Sequence, residues 1–193
     1  MAETGVEPPP RRLRADAVRN RERVLEAARE VFAEHGVGVP IDDVARRAEV
    51  GVGTVYRHFP TKEHLFEAIL VDSIQRMSAA ARDAAEADDA GGAFFEFLLV
   101  VTGQGGENMA VADALAESGH DFHEVSRRHK QDFETAFGVL LRRAQESGAV
   151  RADAEPGDVL MLLGSACRAA STDEAARERS LRLIAIVADG LRA

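Results

Sequence analysis

The stretch GVGTVYRHFPTK, residues 51–62, decides how this chain is read. It holds the only tyrosine of a 193-residue chain that has no tryptophan. Its hydrophobic periodicity is poor, and glycines, a hydroxyl, an aromatic ring, basic groups and a proline crowd together. A core segment does not look like this. The residues on either side place it. Upstream, 41–48 reads as a short helix with Asp42 and Asp43 in its first turn, where the helix dipole favours acid, and Val44, Ala45 and Ala48 facing inward. Residues 52–59 read as a second short helix that Pro60 stops. Thr61 then caps a third, with Glu63 in its first turn.

Two short helices joined by a tight turn (about 40–59) make a helix-turn-helix candidate. Such a motif must carry a helix whose N-terminal half enters a major groove about 12 Å wide. Small residues are needed where backbone nears backbone or phosphate, and Gly51 and Gly53 supply them. Base edges require reachable groups: Thr54 offers a hydroxyl and a methyl, and Val52 and Val55 offer apolar contact for thymine methyls. Tyr56, Arg57, His58 and Lys62 suit phosphate at the rim, Arg57 equally a base edge. Arg46 and Arg47 fit either a solvated helix face or the same DNA side, and Arg46 is kept in the DNA-facing set. Taken alone, Tyr56 also suits half-buried packing.

Charge agrees with this placement. The chain carries a net −9, yet residues 11–64 hold eleven Arg/Lys against nine Asp/Glu, while 65–193 hold thirteen against twenty-two. The segment around the opening stretch is the net-basic one, and local charge governs phosphate contact because salt screens beyond about 8–10 Å.

The rest of the chain predicts an all-α protein of about nine helices, since few segments alternate with period two and long Ala/Leu-rich runs lie between Gly and Pro. A first helix over about 16–35, with Asp16 as its cap and Gly36 after it, puts Val24, Leu25, Ala28, Val31 and Phe32 on one face. The very apolar run 93–101 is expected to be broken by GQGGE, 103–107, before a helix over 108–118. A long helix follows over 121–147, then a linker with Pro156 at the next helix start, and two helices over 157–171 and 174–191. Three parts are expected: a disordered arm (1–15), a helix-turn-helix DNA-binding domain (16–78) and a larger helical domain (79–193).

The run RERVLEAAREVFAEHG…IDDVARRAEVGVGTVYRHFPTKEHLFEAI resembles the DNA-binding domain of the TetR family of bacterial transcriptional regulators. The matching positions are Ala27, Ala28, Phe32, Gly36, Val44, Ala45, Ala48, Val50, Gly53, Thr54, Tyr56, His58, Phe59, Lys62 and Leu65. They cover about residues 17–70, and GAVRADAEPGDVLMLL is similar to an actinobacterial subgroup. The resemblance implies a repressor that binds double-stranded DNA at a palindromic operator and is released by a small molecule, with 79–193 as its helical ligand-binding and dimerisation domain. Two positions depart from the family pattern. Glu49 stands where glycine is usual, and Pro40 where a capping Ser or Thr is common.

In the C-terminal half, Phe97, Phe133 and Phe137 are read first as core and second as pocket lining, with His123 and Arg168 as polar candidates for a ligand. Arg168 suits a salt bridge better than an anionic ligand. His120, His123 and His129 lack the ligand set of a closed metal site, so no metal and no cofactor is expected. The two near-terminal helices are apolar nearly all round, which predicts a homodimer through Leu160, Leu163, Gly164, Cys167, Ile184, Val187 and Leu191. A single cysteine, no apolar leader and a longest charge-free run of only 97–106 place the chain in the cytoplasm, at the nucleoid, and off the membrane. No catalytic constellation stands out. A helical ligand-binding or protein-interaction module with weak or vestigial DNA binding is the alternative, resting on Glu49, Pro40 and the overall acidity.

Overall fold

The protein is described from a computed structural model over residues 11–119, 123–169 and 174–193. Among these residues eight helices follow one another: α1 (Arg11–His35), α2 (Ile41–Arg47), α3 (Val52–His58), α4 (Lys62–Ala85), α5 (Ala90–Glu117), α6 (His123–Glu146), α7 (Pro156–Ala169) and α8 (Glu174–Leu191). The fold is all-α. The only extended pairing among them is one isolated bridge, Val150 with Arg192. The chain parts into two compact units between Leu65 and Phe66, in the first turn of α4.

In the first unit, α1 lays Val24, Leu25, Ala28, Val31 and Phe32 against Ile41, Val44 and Ala45 of α2 and Val55 of α3, all buried. Gly36 ends α1 at φ 78°, its N–H on the Phe32 carbonyl at 2.9 Å, as a glycine beyond a helix C-terminus should. α1 starts five residues before the expected cap. Asp16 lies inside it and pairs with Arg19, one turn on. Of the expected arm, residues 1–10 lie outside the described residues, whereas 11–15 belong to α1.

In the second unit, Phe94, Phe97 and Leu98 of α5 pack with Phe137, Leu140 and Leu141 of α6, Leu163 of α7 and Ile184 of α8. Asp89 caps α5 by accepting the Gly92 N–H at 2.9 Å. The expected break at 103–107 does not occur; α5 runs through it. Gly105 lies against α7, where an added Cβ would come within 2.7 Å of the Cys167 Cβ. Its small size serves close helix packing, and the neighbouring helix holds the segment helical against its own low propensity.

α7 and α8 correct the expected dimer surface. Leu163, Cys167, Ile184 and Leu191 are buried within the chain's own core, so they have no area left to offer a partner. Leu160, Gly164 and Val187 are half-buried. The apolar groups that face outward are Met161 (70% exposed) and Leu162 on α7, and Leu181, Leu183 and Ile186 (68%) on α8.

Candidate nucleic-acid interface

The α2–α3 junction is built by backbone hydrogen bonds. Ala48 caps α2, the Glu49 N–H reaches the Arg46 carbonyl at 3.1 Å, and the Val50 N–H reaches the Ala45 carbonyl at 3.0 Å. This is a Schellman ending, which requires a left-handed residue just beyond the cap. Glu49 fills that position at φ 52°, where a glycine would be unstrained; the side chain costs about 1 kcal/mol. Its exposed carboxylate accepts from Arg23 of α1 at 3.2 Å. At the other end of α2, Pro40 occupies the cap with no side-chain hydrogen bond.

Arg47 fixes α2 on α1. Its guanidinium donates to Glu30 at 2.8 Å and to both carboxylate oxygens of Glu34, at 3.1 and 2.6 Å. That pairing holds the Glu34 carboxyl below the usual glutamate range and raises the arginine. Arg46, one residue earlier, points outward and pairs only locally, with Asp43 at 2.8 Å. Arg47 thus takes neither role that sequence left open for it, a solvated face or a DNA contact, while Arg46 is exposed.

α3 is capped by Gly51 in extended conformation, whose carbonyl accepts from Thr54 N–H at 2.8 Å. Val55 is fully buried and Phe59, its C-cap, is 4% exposed; these two hold the helix from behind. Val55 therefore cannot meet a thymine methyl, and its assignment to base contact is corrected to core. The outward residues are Gly51, Gly53, Tyr56 and Arg57, with Val52, Thr54 and His58 half-buried at the edges. A Cβ at Gly53 would touch nothing within 4 Å, so no packing inside the chain asks for a glycine there. Arg21 of α1 lies over the Phe59 ring, 5.4 Å from its centroid.

Thr61 precedes α4, and its hydroxyl accepts the His64 N–H at 3.4 Å, the expected cap. Lys62 is turned inward. Its Nζ donates to the Val39 carbonyl at 2.7 Å and stands 6.0 Å from the Phe32 ring, and partial burial lowers its pKa. Helical spacing carries no signal for these long-range partners: Lys62 to Val39 spans 23 residues, Arg23 to Glu49 spans 26.

Among the described residues, the ligand candidates Phe97, Phe133, Phe137 and Arg168 do not form one polar site. Phe97, Phe133 and Phe137 pack ring on ring, with centroids 6.0–6.4 Å apart. Arg168 is exposed and meets Asp113 at 3.6 Å, the salt bridge that its place on α7 favoured. His123 opens α6, its side chain lying outside the described residues, as does His120. One open cleft of this unit, about 330 Å³, lies elsewhere, between α4 and α6, lined by Arg82, Glu86, Asp132 and Val139 among others. Burial pushes the Cys167 thiol up in pKa, as suits a small apolar packing group.

Known proteins share both halves. Residues 24–69 match the family described as bacterial regulatory proteins, tetR family, and residues 89–193 match the SbtR-like transcriptional regulator C-terminal domain. A crystal structure of a TetR transcription regulatory protein from Mycobacterium vanbaalenii is 39% identical, covers 94% of this chain and 99% of its own, and superposes with a TM-score of 0.75. A TetR transcriptional regulator from Streptomyces coelicolor, SCO0520, is 28% identical over 89% of this chain and 98% of its own, also with a TM-score of 0.75. The HTH-type transcriptional regulator UidR of Escherichia coli is 27% identical over 146 residues, 73% of this chain and 74% of UidR.

Proposed function

The chain belongs to the TetR family of DNA-binding transcriptional regulators, and on that premise we propose a homodimeric repressor that leaves a palindromic operator when a small molecule binds its C-terminal unit. The observation that carries the reading is α3: a seven-residue helix anchored by Val55 and Phe59 that presents Gly53, Thr54, Tyr56 and Arg57 on its other side. In the proposed complex its N-terminal half enters the major groove. Gly53 permits close approach, Thr54 reads a base edge, and Tyr56, Arg57 and His58 hold phosphates. Arg46 extends the phosphate set from α2. Lys62 supports the motif from inside through Val39.

The partner in the dimer is a second copy. Met161, Leu162, Leu183 and Ile186 leave an apolar face on α7 and α8 that a twin would cover as a four-helix bundle. Two α3 helices one DNA turn apart, about 34–36 Å, would then read a palindrome. A ligand that prefers a geometry with a different spacing would release the operator; α4, which begins in one unit and continues through the other, is the element proposed to carry the change. No catalytic step, metal or cofactor is part of the proposal. Among the described residues no helix is long and apolar enough to cross a membrane, and the proposed place of action is the cytoplasm, where bacterial DNA lies. Footprinting on the DNA upstream of the chain's own gene tests the reading: protection of a palindrome supports it, and binding with no preference over random duplex sinks it.

A further inference from the structure

Glu49 is the one acidic residue between Ala48 and Pro60, the stretch that forms the turn and α3. It is also the one non-glycine at positive φ among the described residues. Its side chain is 85% exposed, so no buried contact of its own explains its presence. What it does touch is Arg23, at 3.2 Å across 26 residues of sequence. Arg21, two positions earlier on α1, lies over Phe59 at the C-terminal end of α3. Two arginines of α1 thus sit beside the two ends of α3: one against a ring, the other against a carboxylate.

We propose that Glu49 is a charge brake on DNA binding: it occupies Arg23 beside the turn into α3, withholding that arginine from a backbone phosphate. This rests on the reading of α3 as the DNA-facing helix. The chemistry is simple. An arginine paired with a protein carboxylate releases no DNA counterion, whereas one freed to neutralise a phosphate adds about 0.9 to the salt slope. The pair is exposed and screened, so it competes with phosphate rather than excluding it. Because phosphate contacts carry no sequence information, the brake acts on operator and random DNA alike. Glu49 is a positioning residue here, acting through Arg23.

Random-sequence duplex is the probe, titrated with the full chain between about 50 and 200 mM salt. Glu49→Gln removes the charge and keeps the backbone strain. It is expected to bind about tenfold tighter at the low end and about threefold tighter at the high end, with a slope steeper by about one. Arg23→Gln and the double variant Arg23→Gln/Glu49→Gln are expected to match each other, with no such gain. A Glu49→Gln slope equal to that of the unmodified protein overturns the proposal. So does a double variant that keeps the gain, since Arg23 is then not the carrier. Should Glu49→Gln fold poorly, Glu49→Gly removes carboxylate and strain together and must show the same steeper slope. No duplex binding by the unmodified protein overturns the DNA-binding reading itself, a result separate from a variant that merely changes nothing.

Discussion

The Lys62 ammonium donates to the Val39 carbonyl at 2.7 Å, tying the first residue of α4 to the loop that leads into α2. That loop ends at Pro40, which gives α2 no side-chain cap, and the lysine adds a charged hydrogen bond to the approach to the helix-turn-helix. The sequence reading puts Lys62 on phosphate. The structure gives its charge a protein acceptor and a partly buried site. Lys62→Met should therefore cost about 1–3 kcal/mol of stability, as loss of a charged hydrogen bond does, and weaken DNA binding while leaving the salt slope unchanged. Denaturant unfolding and a salt titration check both halves. A slope flatter by about one would return Lys62 to the phosphate.

Arg47 joins α2 to Glu30 and Glu34 of α1, and the sign of its pH effect follows from Glu34. The Glu34 carboxyl is lowered in the folded state, first by its hydrogen bond from Arg47. Its contribution is present above the unfolded glutamate value and is lost as pH falls from there through the lowered folded value. Arg47→Gln should flatten the acid limb of the stability curve and leave the Arg46–Asp43 pair of α2 unaltered. An acid limb identical to that of the unmodified protein would contradict the clamp.

Two adjacent residues of α3 should separate function from folding. Thr54→Ala is expected to relax the choice among related duplexes, with stability changed by less than about 0.5 kcal/mol. Val55→Ala, at a fully buried site, should cost about 2 kcal/mol and leave sequence preference intact in the folded molecules. Melting curves and competition binding on the two variants give the comparison directly.

Gly105→Ala should destabilise the second unit by about 1–3 kcal/mol, because its Cβ meets Cys167. Cys167→Ala in the same chain removes the sulfur but leaves the 2.7 Å approach to the Cβ, so recovery should be partial. Chemical unfolding of the single and double variants measures this.

Ile186→Arg, on the outward face of α8, should yield a monomer by light scattering, with random-duplex binding retained and operator affinity reduced. A dimer unaffected by Ile186→Arg and by Met161→Arg would place the interface elsewhere.

What could be read in advance was local. Gly36 beyond α1 and Pro156 at the start of α7 follow from backbone rules that act within a turn or two. The α2–α3 motif was legible because its signals lie within twenty consecutive residues. What escaped depends on distant partners. The glycines of 103–107 looked like a break, since nothing in the sequence says that α7 comes against Gly105. An all-round apolar helix does not reveal which stripe meets its own core, so Leu163 and Ile184 were given to a partner while Met161 and Ile186 face outward. Arg23, Arg47 and Lys62 found partners 26, 17 and 23 residues away, where helical spacing says nothing.

The central claim is that two copies of α3 read a palindrome. Selection of duplexes by the full chain from a random pool, with the stoichiometry of the selected complex measured by light scattering, tests it most directly. The expected result is a palindrome with half-sites one DNA turn apart, bound by a dimer, with that preference relaxed in Thr54→Ala. A pool left unenriched after selection, or enriched for a site that Thr54→Ala reads equally well, would contradict it.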